Sequence, residues 1–129
     1  MSKLTQRRNL DSPDERRTFE KTRIDIVTMD GVTFARVTAE PGWKWSECVG
    51  PIVKTESCRN KHIGYVVSGR WRFLMDDGSE AEFGAGDALV VSPGHDAWVE
   101  GTEPIVYLEY LGSSNLAKAP SSLGGSGSS

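Results

Sequence analysis

The sequence predicts an all-β fold, a small barrel or double-sheet jelly roll, and three observations carry that expectation. Short segments with apolar residues at alternate positions recur between residues 22 and 111. Gly-rich turns separate them, and no stretch reads as a core helix. Strands this short, joined by such turns, must bury one face against another sheet, which leaves a sandwich or a barrel.

Residues 1–21 are charged and poor in apolar side chains, and are expected to be a mobile arm or a segment ordered by packing on a partner. Within them, Ser12 and Pro13 suit the cap and first position of a helical turn. Ile24, Ile26 and Thr28 then alternate with polar residues, Met29-Asp30-Gly31 turns the chain, and residues 32–39 form the return strand, ended by Pro41-Gly42. Tyr65-Val66-Val67 is an apolar strand that closes on Gly69. Over residues 70–75, Trp71, Phe73 and Met75 share one face while Arg70 and Arg72 take the other. Asp76-Asp77-Gly78 is a hairpin signal leading into a short strand at 80–83. Residues 88–91 read as a buried strand, and 97–100 and 105–110 complete the set. The domain is expected to span 22–111, followed by a flexible Ser/Gly-rich tail over 112–129.

A chain of 129 residues fits one domain with a modest core. A net charge of −3 gives no general attraction to nucleic acid or to acidic membranes, and no apolar run reaches membrane-spanning length. The N-terminal residues lack the apolar segment of a secretory signal, so the expected location is cytoplasmic. Cys48 and Cys58 do not make a disulfide framework, and Cys48 reads as a small buried side chain.

Two strand-end clusters carry the chemistry. The first is Gly50-x5-Glu56-x-Cys58-x3-His62-x6-Gly69, with three metal-capable side chains before and at the start of an apolar strand. The second is Ser92-Pro93-Gly94-His95-Asp96-Ala97-Trp98, after the strand at 88–91. Two such clusters in a small all-β chain point to one site in a barrel mouth.

In these motifs the sequence resembles the cupin family, whose first motif is Gly-x5-His-x-His-x3-Glu-x6-Gly and whose second is Gly-x5-Pro-x-Gly-x2-His-x3-Asn. The first matches in spacing from Gly50 to Gly69, with Glu56 and Cys58 where two histidines usually stand and His62 where the glutamate usually stands. The second runs from Gly86 through Ser92 and Gly94 to Ala97 and Gly101, with Ala97 replacing the usual metal histidine. The resemblance covers roughly residues 22–111 and implies a cupin-type double-stranded β-helix. It implies a divalent transition metal, zinc or iron foremost, and leaves the reaction open among oxygenase, isomerase and lyase chemistry.

The implied ligands are Glu56, Cys58, His62 and one residue near Ala97. Strand parity favours His95 for the last place, because it shares the parity of position 97 whereas Asp96 does not. A thiolate among these ligands favours zinc or copper(I), and Glu56 is either a ligand or a general base. Cys58 has a second reading as a nucleophilic or redox thiol activated by His62. Gly64, two residues beyond His62, leaves space in which a ligand could sit, and Trp45 and Trp98 are the expected substrate-contacting aromatics, with Trp43 or Trp45 covering the mouth. The function expected is a metal-binding domain that binds or transforms a small molecule inside the barrel. The alternatives are a metal-free binding or sensor module and a structural protein that dimerises through its N-terminal strands. A homodimer is expected in each case.

Overall fold

The structure is a computed structural model that describes residues 5–54, 57–58 and 60–111. Nine strands build two facing sheets. They are β1 (Glu15–Phe19), β2 (Thr22–Met29), β3 (Val32–Ala39), β4 (His62–Ser68), β5 (Arg70–Met75), β6 (Glu80–Gly84), β7 (Ala88–Val91), β8 (His95–Glu100) and β9 (Ile105–Tyr110). The larger sheet has six strands in the order β1-β2-β3-β9-β4-β7, and the smaller has three in the order β6-β5-β8. Each pairing is antiparallel. The fold is thus all-β, a double-stranded β-helix.

Alternation decides what lies between the sheets. Trp71 and Phe73 of β5, Ala97 and Val99 of β8, and Ile105 and Tyr107 of β9 are buried, while their sequence neighbours face outward. Burying a large apolar side chain contributes about 1.5–3 kcal/mol, so this one face carries most of the favourable free energy of the small core. On the outer side, Arg72 is held by Glu80, Glu82 and Glu100, at 3.2, 2.7 and 3.3 Å. Two single-turn helices, α1 (Trp45–Cys48) and α2 (Gly50–Val53), link β3 to β4 and lie over one end of the barrel core.

The N-terminal segment departs from the expected mobile arm and helical turn. Residues 15–19 pair in register with β2 as an edge strand. The residues before them pack on the same chain: Asp14 N–H donates to the Ile26 carbonyl at 2.8 Å, and Thr28 N–H donates to Asp14 Oδ2 at 2.9 Å. The cause is Asp25, fully buried on the outer side of β2 and bound by Arg16 at 2.7 Å, Arg36 at 3.0 Å and Arg23 at 3.4 Å. Arg36 in turn holds Asp11 Oδ1 and the Leu10 carbonyl. Charge pairing orders a segment whose hydrophobicity alone does not predict order.

Burial raises the pKa of Asp25, but the hydrogen bonds from Arg16 and Arg36 and the charge of Arg23 outweigh it and hold the carboxyl below its ordinary 3.8. A depressed folded-state pKa contributes stability that is present above the unfolded value and is lost as pH falls through the folded one. Asp25→Asn is therefore expected to destabilise the fold by about 2 kcal/mol at neutral pH, because it leaves three guanidinium groups facing an uncharged side chain. Urea unfolding against pH checks this, and the variant's stability should fall less steeply below about pH 4 than that of the parent protein.

Candidate metal centre and cavity

Cys58 and His62 come from one segment of the chain and His95 from another. His62 opens β4, where its register partner is Val91 of β7. Cys58 lies four residues earlier and forms an isolated bridge with His95, the first residue of β8. Cys58 N–H donates to the His95 carbonyl at 2.6 Å, and Gly94 N–H donates back to the Cys58 carbonyl at 2.7 Å. Gly94, at φ +91°, makes the left-handed turn that brings the chain from β7 into β8. One donor atom from each of the three side chains lies within 4.8 Å of the others.

The hydrogen bonds fix the tautomers. His62 Nδ1 lies 2.9 Å from Glu109 Oε1, and His95 Nδ1 lies 2.7 Å from the Ser92 carbonyl oxygen. A carboxylate and a carbonyl only accept, so both Nδ1 atoms carry a proton, and each ring in its neutral form presents its lone pair at Nε2. His62 Nε2 lies 3.8 Å from Cys58 Sγ, while His95 Nε2 is buried with no hydrogen-bond partner. Burial works against ionising Cys58, yet the two neighbouring imidazoles outweigh it and lower the thiol from 9.0 to about 6. Burial also works against protonating His62, but the Glu109 charge and the Cys58 sulfur raise its pKa from 6.5 to about 10. Both shifts favour the charged form, a thiolate beside an imidazolium.

A cavity of about 80 Å³ adjoins these residues between the two sheets. Its walls include Trp43, Trp45, Trp71, Phe73 and Tyr107. Trp45 lies on the cavity, together with Trp43. Trp98 does not: inward parity belongs to His95, Ala97 and Val99, so Trp98 faces outward, donates its indole N–H to Glu100 at 2.9 Å and lies beneath Lys44 Nζ, 5.4 Å from the ring centre. Asp96, also of outward parity, accepts from the Ser46 amide of α1 at 2.9 Å. Gly64 leaves no ligand space, because a Cβ there would collide with the Leu108 carbonyl and lie 2.5 Å from the Tyr107 hydroxyl; close approach of β9 is what requires glycine. Glu56 lies outside the described residues. Glu109 was missed, although its signal was present: it shares the parity of the buried Ile105 and Tyr107, and a carboxylate on an inward strand face demands a partner.

A family model, the EutQ-like cupin domain, matches residues 32–107, more than half of the chain. The chain belongs to this cupin family. No functionally curated protein matches it significantly. Among solved structures, the cupin resembles the polyketide cyclase RemF from Streptomyces resistomycificus, with TM-score 0.59 and 15% identity over 83% of this chain and 78% of that one. It also resembles the oxalate decarboxylase of Lactobacillus farciminis in its formate complex, with TM-score 0.56 and 21% identity over 74% of this chain, but spans only 30% of that enzyme. An uncharacterised double-stranded β-helix protein from Klebsiella pneumoniae matches with TM-score 0.55 and 17% identity, over 83% of this chain and 89% of that one. At these identities the likeness shows a shared fold and no shared reaction. Among the described residues of this cupin, no helix is long and apolar enough to cross a membrane.

The thiolate can be read directly. In a metal-free Cys48→Ser background, ultraviolet absorbance of the thiolate should rise with a midpoint near pH 6, set by Cys58. His62→Ala removes the strongest neighbouring hydrogen bond and should move that midpoint up towards 9.0.

Proposed function

We propose that this cupin binds a divalent transition metal through Cys58, His62 and His95 and uses the site to bind or transform a small molecule in the barrel. The observation that carries the reading is the pair of histidines whose Nδ1–H groups are each committed to an oxygen acceptor, leaving both Nε2 atoms for the cluster that includes Cys58, where a metal displaces any proton on them. Outer-shell acceptors of this kind orient metal-binding imidazoles and raise their basicity. The buried, unpartnered Nε2 of His95 costs about 1–3 kcal/mol when nothing is bound to it, so a ligand atom there recovers stability. Glu56 completes the proposed set as a fourth ligand or a general base. The thiolate favours zinc, with iron(II) as the second choice. A bound ion supplies Lewis acidity for a carbonyl or for water. The chain's own part is to hold the imidazoles through Glu109 and Ser92, to keep Tyr107 a neutral donor, and to line the cavity with aromatic rings that exclude water.

Elemental analysis of protein purified without a metal-affinity tag tests the reading. Near-stoichiometric metal is expected in the wild type, and none in Cys58→Ala/His62→Ala. Glu109→Gln should weaken metal affinity by about 10–100-fold, as loss of an outer-shell partner does. Wild type that stays metal-free after incubation with zinc, iron(II) and copper(I) overturns the proposal.

The Cys58–His62–Glu109 chain favours a second reading. Sulfur, imidazole and carboxylate stand in the order of a nucleophile, a base and its orienting group. If the thiol is the working group, hydrolysis of a small thioester should be abolished by zinc and restored by a chelator. A metal-dependent site gives the opposite response.

We also propose a homodimer across the outer face of the larger sheet. Phe34, Ile63, Tyr65, Val67, Val90 and Tyr110 are exposed there on the neighbouring strands β3, β9, β4 and β7. A contiguous exposed apolar face marks an interaction surface, whereas the edge strand β1 carries Arg16 and Arg17 and resists pairing. Light scattering should give a dimer mass for the wild type and a monomer mass for Tyr65→Arg/Val90→Arg. A monomeric wild type at micromolar concentration rejects the dimer.

A further inference from the structure

We infer that the cavity is built for a small, neutral carbonyl compound with an apolar body, and against carboxylates. This names the ligand class of the site proposed above and rests on that site being a binding pocket, but its charge argument holds with or without a metal.

Size comes first. A volume of about 80 Å³ has room for roughly five to eight water-sized groups, at about 10–15 Å³ each. That suits a single small ring and is too small for a sugar chain or a peptide. The walls are mainly apolar: Ile24 and Val37 from the larger sheet face Trp71 and Phe73 from the smaller, with Trp43 and Trp45 beside them.

Charge comes second. Among the described residues, no lysine or arginine lines the cavity. The ionisable groups on it are Cys58, His62, His95, Tyr107 and Glu109. With a divalent ion bound, one thiolate and one carboxylate cancel it. With no ion bound, the Glu109 carboxylate already stands 2.9 Å from the His62 ring, a negative charge on the cavity wall. Among the described residues, neither state leaves positive charge over for an anion, and an uncompensated carboxylate taken from water into an apolar cavity is strongly disfavoured.

Polarity comes third. Among the described residues, six buried side-chain nitrogen or oxygen atoms have no hydrogen-bond partner, on Thr22, Trp43, Asn60, Trp71, His95 and Tyr107. All six residues line this cavity. Orphaned polar groups elsewhere in the core would be a folding defect; gathered around one space, they are unmet demand for a ligand. Two of them are indole N–H groups, which only donate, on Trp43 and Trp71, whose ring centres are 6.4 Å apart. A hydrocarbon leaves these donors unmet. A carbonyl oxygen accepts from them without bringing in charge.

The experiment follows the indole ¹H–¹⁵N signals of Trp43 and Trp71 in the full-length protein, zinc-loaded and metal-free, with three probes of similar size. The probes are cyclohexanone, toluene and cyclopentanecarboxylate. Cyclohexanone is expected to shift the two indole signals at about fivefold lower concentration than toluene, the value of one added hydrogen bond. Cyclopentanecarboxylate is expected to leave them unmoved. Trp43→Phe and Trp71→Phe each keep an aromatic wall and remove one donor, so in whichever variant folds the preference for the ketone over toluene should shrink. A carboxylate that binds as well as the ketone, a toluene that matches it, or a cavity that no probe enters overturns the inference. Zinc content measured on the same samples separates the two proposals. The order ketone, toluene, carboxylate in a protein that takes up no zinc sinks the metal site alone, and a zinc-loaded protein that prefers the carboxylate sinks the ligand class alone.

Discussion

The backbone tie between Cys58 and His95 is the constraint on which the rest depends. Two short hydrogen bonds, from Cys58 N–H to the His95 carbonyl and from Gly94 N–H to the Cys58 carbonyl, join the segment entering β4 to the start of β8. β4 belongs to the larger sheet and β8 to the smaller, so this contact helps to close one sheet on the other. It also sets the chemistry, since the tied residues carry two of the three converging side chains and His62 follows four positions later. Closure of the barrel and assembly of the site are one structural event.

The site sits at the expense of an ideal core. A barrel this small gains stability mainly from side chains such as Phe73, Val66, Ile105 and Tyr107, all essentially buried. Into the same space it places a thiol, two imidazoles and a carboxylate, together with polar atoms that have no partner. Packing alone would favour apolar residues at these positions. The fold offsets part of the cost internally, through the Glu109–His62 and Ser92–His95 hydrogen bonds, and leaves the remainder as binding potential. The second compensation lies on the far side of β2, where Asp25 gathers three arginines and ties the N-terminal segment to the barrel.

Strand alternation made much of the fold legible in the sequence. Val32–Ala39, Arg70–Met75 and Ile105–Tyr110 fall where the pattern of apolar residues and Gly turns places them, because a sheet that buries one face must alternate with period two. Parity also chose His95 over Asp96 for the interior. The same rule was not applied to Trp98 or Glu109, and both were misplaced or missed: Trp98 lies outside with Lys44, while Glu109 lies inside with His62. β1 was not legible at all, since its order comes from β2 pairing and from Asp25 rather than from any apolar pattern of its own.

By itself the sequence determined the all-β class, the spacing of the Gly50–Gly69 motif and the chemical character of the donors, because these depend on residue type and on local periodicity. Only the tertiary structure decided which donors meet. His95 stands 37 positions from Cys58 and Glu109 stands 47 from His62, and their contacts arise from the antiparallel pairing of strands in space. Whether space lies beside Gly64 was likewise a tertiary matter. A glycine in a strand marks a close approach, but only the path of β9 shows that Tyr107 and the Leu108 carbonyl fill the space that a ligand would need.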